Sequence, residues 1–184
     1  MRFIKTNFKD LFIIKHNLYS DDRGYFKETF KKEKLEKLFD KKINFCQQNS
    51  VKSTKNVLRG LHYQKDPFAQ SKLINIEYGK ILDIAVDIRK DSETYGKYFS
   101  YILSHENHES LFIPKGFAHG YLTISETVLI NYTVDNYYSP KNDLGINSLD
   151  SNLSLNLDQY VDKIKRSKKD KNFPNLCDCP YYKF

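Results

Sequence analysis

Residues 81–88 read ILDIAVDI, and this octapeptide decides the fold class. Leu82, Ile84, Val86 and Ile88 fall on one face of an extended chain, and Ile81, Asp83, Ala85 and Asp87 fall on the other. A period of two is the mark of a β-strand. Residues 98–104 alternate in the same way, with Phe99, Tyr101 and Leu103 set against Tyr98, Ser100, Ile102 and Ser104. Residues 128–138 put Val128, Ile130, Tyr132 and Val134 on one face. Turn signals separate these runs at short intervals, at Tyr78-Gly79, Tyr95-Gly96, 105–108, Pro114-Lys115-Gly116 and Ser139-Pro140. Short strands punctuated this way predict an antiparallel sandwich or barrel. Helical spacing is confined to 31–39, where Leu35, Leu38 and Phe39 recur on a charged background, and to 157–169. The expectation is an all-β chain with short peripheral helices.

The 184 residues suit a single domain spanning 1–184. With 40% hydrophobic and 29% charged residues, the composition is that of a folded protein rather than a disordered one. No apolar run approaches the roughly 20 residues that a membrane-spanning helix needs. The opening MRFIKTNFKD lacks the apolar stretch of a signal peptide. A cytoplasmic protein with no membrane partner is therefore expected. The formal charge of +7 raises the question of nucleic acid, but only five residues are Arg, at 2, 23, 59, 89 and 166. The lysines sit mostly in runs broken by acids, such as 31–34 (KKEK), and read as a solvated surface with no nucleic-acid partner. Three cysteines make an odd set that reads as reduced thiols. Cys177-Asp178-Cys179 has no second pair to complete a zinc site.

Chemistry-bearing residues concentrate in 47–72, which holds Gln47, Gln48, Asn49, Arg59, His62, Gln64 and Lys72 around the run VLRGLHYQ (57–64). Arg59 and Leu61 share a strand face, so Arg59 and His62 converge only if the chain bulges at Gly60. A lone strand histidine is more often a satisfied structural residue than a site member. The company of Arg, Lys and two amides balances the two readings for His62.

The second cluster is IPKGFAHG (113–120), a turn that delivers His119 to the start of the next strand. It matches the second motif of cupin β-barrels, in which that histidine often binds a metal. The first cupin motif would supply His-x-His and a Glu, but the corresponding run here is His62-Tyr63-Gln64. With the ligand set incomplete, a metal-free cupin-type antiparallel barrel (jelly roll) is expected.

An ordered set of motifs then runs along the chain: DRGYFKE (22–28), Gln47-x-Asn49, VLRGLHYQ, Ser71-Lys72-Leu73, AVDIR (85–89) and Ser92-x-Thr94-Tyr95-Gly96. IPKGFAHG, Tyr132, Tyr137-Tyr138-Ser139-Pro140, Gly145-Ile146 and Ser167-x-Lys169-Asp170 follow. Together, over roughly 12–176, they resemble the dTDP-4-dehydrorhamnose 3,5-epimerase family of metal-free cupin enzymes. The resemblance implies that His62 is the general base, Asp170 its carboxylate partner and Tyr132 the acid that reprotonates from the opposite side. It places Lys72 and His119 around the sugar ketone and Arg59 nearby. It implies substrate contacts from Arg23, Glu28, Gln47, Asn49, Tyr138, Asp143 and Lys169, no cofactor or metal, and a nucleotide-sugar substrate, most simply dTDP-linked. It also implies a homodimer in which N-terminal residues enter the partner's site. A strand within 11–18 could cover an open sheet edge of a neighbour.

These residue types suit the chemistry. Protons at C3 and C5 of a 4-keto sugar are acidic because the ketone takes up the charge as an enolate. An imidazole can accept such a proton near neutrality, and a carboxylate on its other nitrogen fixes the tautomer. Lys can neutralise the enolate oxygen. Inversion needs an acid on the opposite face, for which Tyr132 serves unless it is only a core aromatic. The chain departs from the family pattern at GINSLDS (145–151), where Gly-Ile-x-Trp-Asn-Asp-Pro is common, and at Leu157, Asp143 (usually Glu) and Asn56 (usually Gly). Other readings are an epimerase acting at one carbon or on another nucleotide sugar, a non-catalytic sugar-binding cupin, and a metal-dependent cupin.

Overall fold

The computed structural model describes residues 1–40 and 42–179. In chain order the elements are β1 (Arg2–Lys5), β2 (Phe12–Lys15), β3 (Leu18–Asp21), β4 (Gly24–Lys27), α1 (Lys32–Phe39), β5 (Gln47–Thr54), β6 (Leu58–Gln64) and β7 (Lys72–Tyr78). There follow β8 (Lys80–Asp87), β9 (Tyr98–Ser104), β10 (Glu109–Ile113), β11 (Phe117–Thr123), β12 (Thr127–Val134), β13 (Asp143–Gly145) and α2 (Lys168–Lys171). A six-stranded sheet, β1-β2-β10-β7-β12-β5, faces a five-stranded one, β13-β6-β11-β8-β9, and β3 and β4 form a separate hairpin. The all-β, cupin-type expectation holds.

The octapeptide 81–88 shows why this packing forms. Ile81 and Ala85 enter the core between the sheets with Ile74, Ile76, Leu111, Ile113 and Ile130. Leu82, Ile84, Val86 and Ile88 point the other way, onto a second core completed by Ile146, Leu153, Leu157 and Val161. A strand covered on both faces is apolar on both, so Asp83 and Asp87 stand out on the inner one. The outer face of the larger sheet is closed similarly, as Leu35 of α1 and Ile43 pack on Phe12, Ile14, Leu73 and Phe112.

Three expectations are corrected. The pattern in 128–138 predicted one strand, but β12 ends at Val134. Beyond it the Gln64 side chain donates to the Tyr137 carbonyl and accepts from the Ser139 N–H, replacing the ladder. The helical spacing in 157–169 forms turns, because Leu157, Val161 and Ile164 are spent packing on the smaller sheet and Lys165 bridges to Val57. Only α2 is helical there, started by the Ser167 hydroxyl accepting from the Asp170 N–H. The strand within 11–18 pairs inside its own chain, with β2 lying between β1 and β10. The segment left unpaired against either sheet is the β3–β4 hairpin, which exposes Tyr19, Tyr25 and Phe26.

Candidate active site

Between the sheets lies a cavity of about 400 Å³, within the usual range for a small-molecule site. Its walls include Gln47, Asn49, Arg59, His62, Lys72, His119, Tyr132, Tyr138 and Asp143. Their convergence depends on one glycine. Along β6, Leu58 and Leu61 both face the outer core, which simple alternation forbids. The register against β11 supplies the missing residue, since Arg59 pairs with Tyr121 and His62 with His119. Three steps on β6 thus match two on β11, a bulge with Gly60 as the extra residue. Gly60 has φ +108°, and a Cβ there would lie 2.6 Å from the His119 carbonyl. The bulge turns His62 inward beside Arg59, as the sequence required.

His62 Nε2 lies 2.8 Å from Asp170 Oδ1. The Gly60 N–H donates to the other carboxylate oxygen at 3.3 Å. Burial raises the Asp170 carboxyl, but the bonds from His62, the Gly60 amide and Ser167 outweigh it and hold it below the usual carboxylate range. The His62 ring is about one-third exposed and meets Phe173 edge-on. Across the cavity, on the larger sheet, Tyr132 is paired with Asn49 of β5 and Ile74 of β7. Burial raises its phenol, so it keeps its proton. Lys72 is buried, donates to the His62 carbonyl at 3.2 Å, and is pushed down to about 8 by burial against the pull of Asp143 and Asp83.

The remaining residues form a rim. Arg59 donates through Nε to Ser53 Oγ at 3.0 Å, and that hydroxyl also meets Tyr121 Oη at 2.9 Å. Asp143 Oδ2 accepts from Tyr138 Oη at 3.0 Å and Lys169 Nζ at 2.5 Å. Gln47 accepts from the Tyr138 N–H and donates to Asn49. Arg23 and Glu28 are not part of this cavity. Arg23 pairs with Asp21 on the exposed hairpin, and Glu28 follows β4. Sequence reasoning passed over Asp83, which is fully buried with Oδ1 2.6 Å from His119 Nε2. The signal was there, an acid on the inner face of an apolar strand.

A family model described as dTDP-4-dehydrorhamnose 3,5-epimerase matches residues 5–178. The chain belongs to this family. It is an enzyme of the isomerase class. The enzyme of that name from Shigella flexneri is 42% identical over 182 residues, covering 99% of each chain. The crystal structure of dTDP-6-deoxy-D-glucose-3,5-epimerase from Legionella pneumophila in complex with dTDP-4-keto-L-rhamnose is 35% identical. It covers 100% of this chain and 98% of its own, with a TM-score of 0.94. A 3'-monoepimerase from Streptomyces bikiniensis in complex with dTDP-quinovose is 26% identical, with a TM-score of 0.86 over 94% of this chain and 86% of its own. One departure from the family pattern has a plain physical account. Asn56 takes φ +68°, a left-handed conformation that Gly and Asn tolerate best.

Proposed function

We propose that this epimerase inverts C3 and C5 of dTDP-4-keto-6-deoxyglucose through enolate intermediates, supplying activated rhamnose for polysaccharide synthesis in the cytoplasm. The observation that carries the proposal is a histidine–carboxylate pair and a partly buried tyrosine on opposite walls of one cavity, which a buried lysine also lines. His62 takes the proton from C5 or C3. Asp170, ionised and fixed by the Gly60 amide, holds the His62 Nε2–H, so Nδ1 is the basic atom offered to substrate. Lys72 neutralises the oxygen on which the carbanion's charge collects. Tyr132 returns a proton from the other face, and the configuration inverts. Arg59 and His119 sit beside the ketone and diphosphate, while Gln47, Asn49, Tyr138, Asp143 and Lys169 bind the remainder of the nucleotide sugar.

Arg23 and Glu28 serve a second copy. In a homodimer the hairpin's exposed Tyr19, Tyr25 and Phe26 would be covered and the two polar residues carried into the partner's cavity. Sedimentation at micromolar concentration tests this arrangement, and a fully active monomer would overturn it.

The decisive experiment follows dTDP-4-keto-6-deoxyglucose by NMR in deuterated water, with a reductase trapping the product. Solvent deuterium should enter at both C3 and C5. Exchange at one carbon alone would make the chain a monoepimerase, and binding without exchange would make it a sugar-binding cupin.

A further inference from the structure

His119 has the same chemical arrangement as His62 but a different setting. Its Nε2 is bonded to Asp83, leaving Nδ1 as the nitrogen available to the cavity that the residue lines. Asp83 has no exposed surface, and among the described residues its Oδ2 has no hydrogen-bond partner. A buried carboxylate with a bare oxygen is costly, and a fold has no packing reason to keep one. What compensates for it must be charge nearby. The charged and titratable groups that bond His119 or share its cavity are Asp83 from β8, Lys72 from β7, His62, Arg59 and Tyr63 from β6, Tyr132 from β12, Asp143 from β13, Tyr138, and Tyr121 on its own strand.

We propose that Asp83 is a positioning residue, and that His119 and Asp83 act as one proton-holding pair that takes up a proton from water when the anionic nucleotide sugar binds. With one proton, the pair is anionic and Nδ1 is an acceptor. With two, it is neutral overall and Nδ1–H becomes a donor aimed into the cavity, beside Lys72. The donor state is the one that stabilises an enolate or a diphosphate oxygen. In the free protein, burial outweighs the pull of Asp83 and holds the imidazole below its ordinary value, with Lys72 and His62 adding to that effect. The substrate's diphosphate reverses this balance by bringing negative charge into a poorly solvated space. Substrate thus switches the pair from acceptor to donor, and the donor appears only in the loaded site.

The inference rests on the proposed nucleotide-sugar substrate. The test is isothermal titration calorimetry with dTDP-glucose, which lacks the ketone and does not react. It is run slightly above neutrality in two buffers of widely different ionisation enthalpy. A sugar diphosphate diester exchanges no proton in this range, so any uptake belongs to the protein. Uptake approaching roughly one proton per site is expected, and Kd should weaken by roughly tenfold per pH unit above neutrality. Asp83→Asn and His119→Asn should lose both effects, while His62→Asn keeps them. Should Asp83→Asn fail to fold, His119→Asn gives the same readout with the carboxylate retained. Binding without proton uptake, uptake that survives His119→Asn, or uptake lost in His62→Asn would each overturn the pair. No binding in either buffer would overturn the nucleotide-sugar reading and this inference with it.

Discussion

His62 and His119 are cross-strand neighbours on β6 and β11, and each bonds an aspartate through Nε2, yet the two pairs are not equivalent. Asp170 is held at three points. His62 and the Gly60 amide reach its carboxylate, and its own N–H caps α2 on Ser167. Among the described residues, the Asp83 carboxylate bonds His119 alone. The His62 ring reaches solvent in the open cavity, whereas the His119 side chain is about one-tenth exposed. A satisfied carboxylate beside an accessible ring fixes one tautomer and suits a base that cycles its proton each turnover. An unsatisfied carboxylate beside an enclosed ring leaves the proton count open to whatever charge enters. The same two residue types thus serve different ends because their surroundings differ.

The comparison is broken most directly at its well-satisfied member. His62→Ala should lower turnover by about 10⁴-fold and abolish deuterium exchange at both carbons, with the fold intact by circular dichroism. Asp170→Asn should come close to this loss, because an amide can present the wrong hydrogen-bonding sense to Nε2. Near-normal exchange in His62→Ala would move the base role to the other pair.

Tyr132→Phe should divide two signals that normally travel together. His62 still removes the proton and returns deuterium to the same face, so label enters with retention. Inverted product falls by about 10²–10⁴-fold. Equal loss or equal survival of exchange and inversion, read in one NMR time course, would return Tyr132 to the role of a core aromatic. Lys72→Met should then cost about 10²–10³-fold in kcat at unchanged fold, since it removes one charged donor from the enolate oxygen.

How much of this was legible in sequence depends on range. The strand pattern at 81–88 announced itself locally, because a period of two survives any tertiary setting. The bulge at Gly60 was inferable because Arg59 and His62 could not otherwise meet. The AVDIR and Ser-x-Thr motifs have a structural explanation, as Asp87 accepts from Arg89, Ser92 and Thr94 and closes the β8–β9 connection. The 157–169 segment misled because Leu157, Val161 and Ile164 repeat at helical spacing while the backbone follows the neighbouring sheet. Asp83 was passed over because its partner lies 36 residues away, and no local pattern says which acid on an inner face meets a histidine.

The smallest expected effect concerns Lys72, which lies between the two pairs, bonded to the His62 carbonyl and drawn by the charge of Asp83. Burial pushes its ammonium down to about 8, while Asp143 and, to a lesser degree, Asp83 pull it back up. The enolate needs the cationic form, so kcat/KM, already declining above neutrality as substrate affinity weakens, should fall more steeply as pH rises through about 8. Asp143→Asn removes the stronger of the two attractions without touching Lys72 itself. Lower affinity for the proton moves the alkaline limb to lower pH, by roughly half to one unit. Asp143 also anchors Tyr138 and Lys169, so the height of the profile falls for a separate reason. Only the position of the limb reports on Lys72. A limb that stays in place, or moves to higher pH, would show that some other group sets it and that the lysine's charge is not what the reaction spends.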